Sequence, residues 1–250
     1  MIFVAMDDTD NVGTRGTGKL SRDVAEELSR KYPIKGIVRH QLLVHPDVPY
    51  TSHNSCAVIH IDINIDNLSS YEGFEKYEKN PDELLKEIFN HTKKEMLNDF
   101  IDGSDPGLAV AADIQVTTPL VAFAKDAKEI IVTQGQARGL ARNLGILLEG
   151  FGGTEDGVIG AMAGIGLSST YNDGRYIRVR DVPKLKGSQV VESLLNAGID
   201  KVVSKNGETI NKKDTITNKD NKDYKPSPLN GEVALLVEII RGEMHPIKRS

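Results

Sequence analysis

The chain has 250 residues, 39% hydrophobic and 27% charged, ordinary values for a globular protein of one large domain or two small ones. No apolar run approaches the roughly 18 residues of a membrane helix, and the start, MIFVAMDDTD, lacks a basic leader and turns acidic at once, so a strand in a cytoplasmic protein is expected and no membrane partner. The formal net charge of −5 offers no global field for nucleic acid, so any RNA contact would have to be local.

Ile2 to Met6 is a short apolar run and predicts a buried strand. From about Thr17 the period changes: Leu20, Val24 and Leu28 mark a helix face that ends before Tyr32-Pro33. Lys35 to Val44 reads as a second strand, and His45 to Ser55, with two prolines, as a loop. Cys56 to Ile65 alternates and is rich in β formers, and Asn80-Pro81-Asp82 opens a helix to about Asp99. Asp102 to Gly107 (DGSDPG) is a tight turn, followed by two helices over Thr118 to Ile131 and Thr133 to Leu148. Gly150 to Leu167 is glycine-rich and runs into a small-residue helix; Tyr176 to Val182 is a strand and Ser188 to Ala197 a short helix. From Lys201 the chain turns polar, with a hairpin centred on Asn206-Gly207, a strand over Glu232 to Ile240, and last residues expected to fray. Helices set between non-adjacent strands predict an α+β fold of mixed sheets and packed helices, an order that allows a ferredoxin-like subdomain. The expected division is a core over 1–183 and a small α/β extension over 184–250.

The chemistry concentrates after the first strand. Asp7, Asp8 and Asp10 follow it directly, and strand alternation would put Asp8 and Asp10 on one face and point Asp7 away. Close carboxylates repel unless a cation or protons neutralise them, and Mg²⁺ suits one or two of them together with waters and phosphate oxygens. The plainer reading is a solvated acidic loop. Gly13 to Lys19 nearly matches the phosphate-binding pattern G-x-x-x-x-G-K-[ST], but Leu20 stands where a metal-holding Ser or Thr belongs, which rules out a true P-loop. The glycines still let backbone N–H groups approach an anion at a helix start. Gly13, Thr14, Arg15, Gly16, Gly18 and Lys19 are therefore candidate nucleotide-binding residues. Thr17 offers a hydroxyl to phosphate or serves as a plain helix N-cap, two roles that can coexist.

GFGGTEDGVIGAMAGIGL repeats this design. Thr154 can cap its helix, and Asp156, Gly157 and Gly160 are further candidate nucleotide-binding residues. Repeated glycine in a helix costs about 1 kcal/mol per residue relative to alanine, so either a ligand or another backbone comes close. Downstream, Arg178 and Arg180 would share one strand face. His53 and Asn54 read as loop residues, and His40 and His45 have no carboxylate at metal-ligand spacing. Cys56, the only cysteine, forms no internal disulfide or cysteine-based zinc site and reads as a small core residue.

DDTD (Asp7 to Asp10) with its Gly/Thr loop, VPY (Val48 to Tyr50) followed by AVIHIDI (Ala57 to Ile63), DPG (Asp105 to Gly107) and GVIGAMAGIG (Gly157 to Gly166) occur in that order. Together they resemble the kinase-like catalytic portion of the archaeal tRNA-Ile agmatidine synthetases, over roughly Met1 to Asp181. That family uses ATP and Mg²⁺ to activate an anticodon cytidine by phosphorylation, and agmatine then displaces the phosphate. The resemblance implies metal binding by Asp7, Asp8 and Asp10 and ATP-phosphate contact by Thr17. Larger members carry an OB-type domain and a zinc ribbon that grip tRNA, both expected to be missing here. The family's cysteine before the threonine is Gly16 in this chain, and its Arg-Gly-Asn-Gly is replaced over His53 to Cys56.

The leading expectation is an ATP- and Mg²⁺-dependent phosphotransfer or nucleotide-hydrolysing protein with an open acceptor, catalytic through Asp7, Asp8, Asp10 and Thr17. The alternatives are a haloacid-dehalogenase-type phosphatase, with Asp8 as nucleophile and Asp10 as acid, and a non-catalytic nucleotide sensor. A partner subunit or a second copy of the chain are the candidate protein partners.

Overall fold

The computed structural model describes residues 1–11, 13–48, 54–78 and 80–247. Pro49, Tyr50 and His53, singled out above, lie outside them. The chain divides into two compact units, Met1–Ser169 and Thr170–Ser250.

The first unit opens with β1 (Ile2–Asp7), α1 (Thr17–Ser29), β2 (Ile34–Gln41), β3 (Ser55–Ile61), α2 (Pro81–Asn98) and β4 (Gly107–Ala112). These strands lie in the order β4-β1-β3-β2, every neighbour antiparallel. This split β-α-β repeated once is the ferredoxin-like arrangement, so the α+β expectation holds. Then follow α3 (Thr118–Glu129), α4 (Gln134–Leu144), β5 (Leu147–Gly150), which extends the sheet beside β4, and α5 (Gly157–Ser168).

All six residues of β1 are buried, because helices cover both faces of the sheet. The apolar stripe of α1 (Leu20, Val24, Leu28) and that of α2 (Leu84, Leu85, Ile88) close one face. On the other face α5 lies across β1, β3 and β4, with α3 and α4 packed against it. A Cβ on Gly164 would sit 2.8 Å from Val58 Cγ2, and one on Gly166 would sit 2.6 Å from Ala124 Cβ and 2.8 Å from the Leu120 carbonyl oxygen. Close helix packing, one of the two readings left open in sequence, accounts for these two glycines.

In this unit two strands went unread in the sequence. β4 is GLAVAA, dominated by small residues that carry little β signal. β5 lies in the stretch assigned to the end of a helix; α4 stops earlier because Gly145 takes a left-handed conformation (φ 66°) at its C-terminus.

A polar knot sits inside this face of the sheet. His40 Nε2 and His60 Nε2 lie 2.9 and 3.0 Å from the hydroxyl oxygen of Ser168, and all three residues are buried. A hydroxyl has one proton, so at most one ring accepts it while the other donates. Phe3 meets His60 edge-on, with ring centroids 5.0 Å apart.

The second unit holds β6 (Arg175–Arg178), β7 (Gln189–Val190), α6 (Val191–Asn196), β8 (Lys201–Ser204), β9 (Thr215–Ile216), β10 (Ser227–Leu229), β11 (Glu232–Ile240) and β12 (Glu243–Pro246). Its sheet runs β10-β11-β12-β9-β7, with β8 parallel to β11. The Asn206-Gly207 hairpin is present: Ser204 N–H donates to Glu208 O at 2.8 Å, Ile210 N–H to Val202 O at 2.9 Å, and Gly207 takes φ 88°. After β11 the chain folds back as β12, antiparallel to β11 through Pro246; the last three residues of the stretch expected to fray lie outside the described ones. The helix expected over Ser188 to Ala197 is shorter, its first residues pairing with β9 instead. Arg178 and Arg180 do not share a strand face, because β6 ends at Arg178 and Arg180 turns left-handed (φ 36°). Among the described residues no helix is long and apolar enough to cross a membrane.

Replacing Ser168 by Ala leaves two buried imidazoles without their shared hydroxyl. Urea denaturation at pH 7.5 is expected to show a loss of about 1–3 kcal/mol; a loss under 0.5 kcal/mol would show that the knot contributes nothing.

Candidate functional site

β1 delivers its last residue, Asp7, to the edge of a cavity of about 430 Å³ that lies wholly within the first unit. Asp8 then takes φ 50°, a left-handed conformation that ends the strand and breaks side-chain alternation. Asp7 therefore does not point away: Asp7, Asp8 and Asp10 all line the same cavity. Asp7 lies under α5, where a Cβ on Gly160 would fall 1.6 Å from its Oδ2. The missing side chain of Gly160 is what admits the carboxylate.

Asp105 and Asp156 line the cavity as well, and no lysine or arginine does so among the described residues. Burial, then neighbouring Asp8, pushes the Asp7 carboxyl up to about 7. Burial, then Asp105, pushes Asp8 up to about 6. The carboxylates do not converge, since among the described residues no group of three or more His, Cys, Asp or Glu side chains forms a ready metal site. Away from the acids the wall becomes apolar, with Leu42, Leu43, Val48, Ile130, Ile131 and Val132.

The helix after the acidic run is capped by Gly16, with no side-chain bond, so Thr17 is not its N-cap. The Thr17 hydroxyl accepts from the Thr9 hydroxyl at 3.0 Å and donates to Asp10 Oδ1 at 3.0 Å, and the residue lines the cavity. Gly13, Thr14, Arg15, Gly16, Gly18 and Lys19 are not part of the cavity lining. Arg15 is turned inward, pairing with the Asp99 carboxylate and donating to the Thr9 carbonyl. Lys19 pairs with Asp23 one turn on, at 2.9 Å. Thr14 closes the loop through the Asn11 carbonyl at 2.7 Å. Beside Gly13 and Gly16 lies open space.

Opposite stands the second glycine-rich segment, of which Thr154, Asp156, Gly157 and Gly160 line the cavity. Thr154 does not cap α5. Its N–H and hydroxyl are both held by the Asp105 carboxylate, at 2.8 and 3.0 Å. Asp156 occupies the N-cap position yet makes no side-chain capping bond. The Gly157 N–H donates to the Asp105 carbonyl at 3.1 Å, and a Cβ on Gly107 would fall 2.1 Å from the Gly157 carbonyl carbon. These two glycines allow the start of β4 to touch the start of α5.

Asp105 and Gln134 were not read as site residues in the sequence. Asp105 was visible as part of the Asp102 to Gly107 turn and of the DPG block, without a role, although an acid next to a buried strand was a usable signal. Gln134 carried none. Asn54 donates to the Leu43 carbonyl at 2.6 Å and lines the cavity, and Cys56 is fully buried beside Gly164, a core residue as expected.

Solved structures share this fold. The chain is similar to ligand-free TiaS, the tRNA-Ile2 agmatidine synthetase, at 18% identity and a TM-score of 0.50, over 66% of this chain and 35% of that one. The likeness is to a portion of TiaS. The same identity and score hold for TiaS in complex with tRNA-Ile2 and ATP, over 66% and 36%, and for a tRNA fluorescent labelling enzyme, over 66% and 35%. This chain thus spans about a third of the length of TiaS, and the resemblance expected from its sequence holds at the level of the fold. No family model matches the sequence, and no curated protein does.

Asp7 is protonated more readily folded than unfolded, where its value is 3.8. The folded state therefore holds the extra proton, and its share of stability is present at acid pH and lost as pH rises from about 4 through about 7. Asp7→Asn removes that share. Between pH 5 and 8 the variant is expected to lose at least about 1 kcal/mol less stability than wild type, one pKa unit being worth about 1.4 kcal/mol. Parallel pH profiles in chemical denaturation would refute this.

Proposed function

We propose that this chain binds a magnesium complex of a nucleoside triphosphate, ATP, and uses it in phosphoryl transfer or ligase-like activation of an acceptor. The observation that carries this is the cavity's division, among the described residues, into a carboxylate end without lysine or arginine and an apolar end. A bare triphosphate would be repelled from the first, whereas a cation-carrying one would be attracted. Likeness of fold to a protein solved with ATP and tRNA supports the same direction.

The residues fit such a ligand. Mg²⁺ takes one or two carboxylates and completes its shell with water and phosphate oxygens, so a converged protein cage is not required. Asp8 and Asp10 would hold the ion and Asp7 would assist from beneath Gly160; when bound, the ion supplies charge neutralisation for the transferring group. The Thr17 amide, first in α1, has no intrahelical carbonyl partner, and it lies at the positive end of the helix, where phosphate is favoured. Thr17, hydrogen-bonded to Asp10, would orient that carboxylate. The apolar wall of Leu42, Leu43, Ile130 and Ile131 would receive the base, and Asp156, Gly157 and Gly160 would close the opposite side. Tight placement of the phosphates, with water excluded by the apolar wall, is then the chain's own contribution to the rate.

A tRNA and a small amine are the candidate acceptors by likeness to TiaS. The phosphatase alternative sits poorly on this frame: it expects strands and helices in regular alternation, whereas both neighbours of β1 are antiparallel to it.

Calorimetric titration is expected to show ATP binding that needs Mg²⁺ and weakens at least about tenfold in Asp8→Asn and in Asp10→Asn, the scale for loss of a metal-orienting group. Equal binding by wild type and both variants, or none by wild type, would defeat the proposal. Tight binding without turnover in the presence of RNA and amines would instead favour a nucleotide sensor.

A further inference from the structure

The bend before α5 is held from outside by the first turns of α4. Glu155 takes φ 63°, a left-handed conformation that costs a non-glycine residue about 1–2 kcal/mol, and it persists only where the surroundings impose it. The side chain of Gln134, first residue of α4, donates through Nε2 to the Thr154 carbonyl at 2.6 Å and to Asp156 Oδ1 at 2.7 Å. Its Oε1 accepts from Arg138 one turn on, at 3.4 Å, and Arg138 in turn pairs with the Glu155 carboxylate. The result is a closed chain of contacts, Asp156 to Gln134 to Arg138 to Glu155, across two helices. Asp156 stands at an N-cap position, where an Asp ordinarily bonds the N–H two or three residues on. Here it makes no such bond and lines the cavity instead. The N–H groups of Gly157, Val158 and Ile159 are meanwhile satisfied by backbone carbonyls.

From this we infer that Gln134 is a positioning residue: braced by Arg138, it holds the strained Glu155 bend so that the Asp156 carboxylate is presented to the metal–nucleotide cavity rather than to its own helix. The inference rests on the nucleotide reading of that cavity. Without the amide donor, the Asp156 carboxylate is no longer tied to α4, and the cavity loses a fixed carboxylate among those near Asp8.

The experiment uses the full chain and titrates Mg²⁺·ATP into wild type, Gln134→Met, Asp156→Asn and the double variant. Methionine keeps the length and helix propensity of glutamine without its donor. Each single variant is expected to weaken binding about tenfold, the usual scale for a group that orients a ligand of the metal. The double variant is expected to be no weaker than Asp156→Asn alone, since the two act through one carboxylate. A Glu-specific protease is expected to cut after Glu155 in Gln134→Met and Arg138→Ala sooner than in wild type. Wild-type binding with unchanged affinity in Gln134→Met, or additive losses in the double variant, overturns the positioning role and leaves the nucleotide site standing. Failure of the wild type to bind Mg²⁺·ATP overturns both.

Discussion

The site depends on how closely α5 approaches the sheet. How near a helix can lie to what it packs on is set by the side chains at the contact. Here Gly157 meets Gly107 backbone to backbone, Gly160 admits the Asp7 carboxylate, and Gly164 and Gly166 let Val58, Ala124 and the α3 backbone come into contact. That closeness encloses Asp7 at the end of β1 and sets the second glycine-rich bend opposite the first. The glycines cost helix propensity, and the burial of β1, β3 and β4 under α5 offsets it.

The enclosed acids make the cavity an electrostatic problem that the protein by itself answers with protons. Asp7 is held above the ordinary carboxylate range by burial first and Asp8 next, and Asp8 by burial first and Asp105 next. His60 behaves in the opposite sense: burial, then neighbouring His40, holds it down at about 3, well below its unfolded 6.5. Its contribution to stability is whole above about pH 6.5 and is lost as pH falls toward 3, while that of the acids is lost as pH rises through 6 and 7. The two groups share one face of the sheet under one helix, so the same packing that builds the cavity narrows the pH range in which the empty protein is most stable.

The basic residues of the first loop illustrate why charge in a motif is weak evidence for contact. Arg15 and Lys19 sit among glycines in a pattern close to that of phosphate loops, yet one is drawn inward to Asp99 and the Thr9 carbonyl and the other along its helix to Asp23. What this stretch leaves at the cavity is Thr17, whose hydroxyl is already tied to Asp10. Close carboxylates repel a bare polyphosphate and would accept one that carries a cation, which is the reading proposed above.

Local signals in the sequence determined a good deal. The strand ending in Asp7, the helix over Leu20, Val24 and Leu28, the helix opening at Asn80-Pro81, the Asn206-Gly207 hairpin and the strand Glu232–Ile240 each follow from period, caps or turn residues within a few positions. The acidic run and the two glycine-rich segments were legible as unusual for the same reason. Only the tertiary structure decided what they do together. β4 and β5 are strands because β1 and the sheet edge recruit them, not because GLAVAA or LLEG prefers to be extended. Asp7 faces the cavity because a single left-handed residue cancels alternation, and Asp105 and Gln134 join it from 98 and 127 residues further along the chain by their hydrogen bonds to Thr154 and Asp156. Contacts at such separations leave no periodic trace in a single sequence, since period and turn chemistry report only on neighbours along the chain.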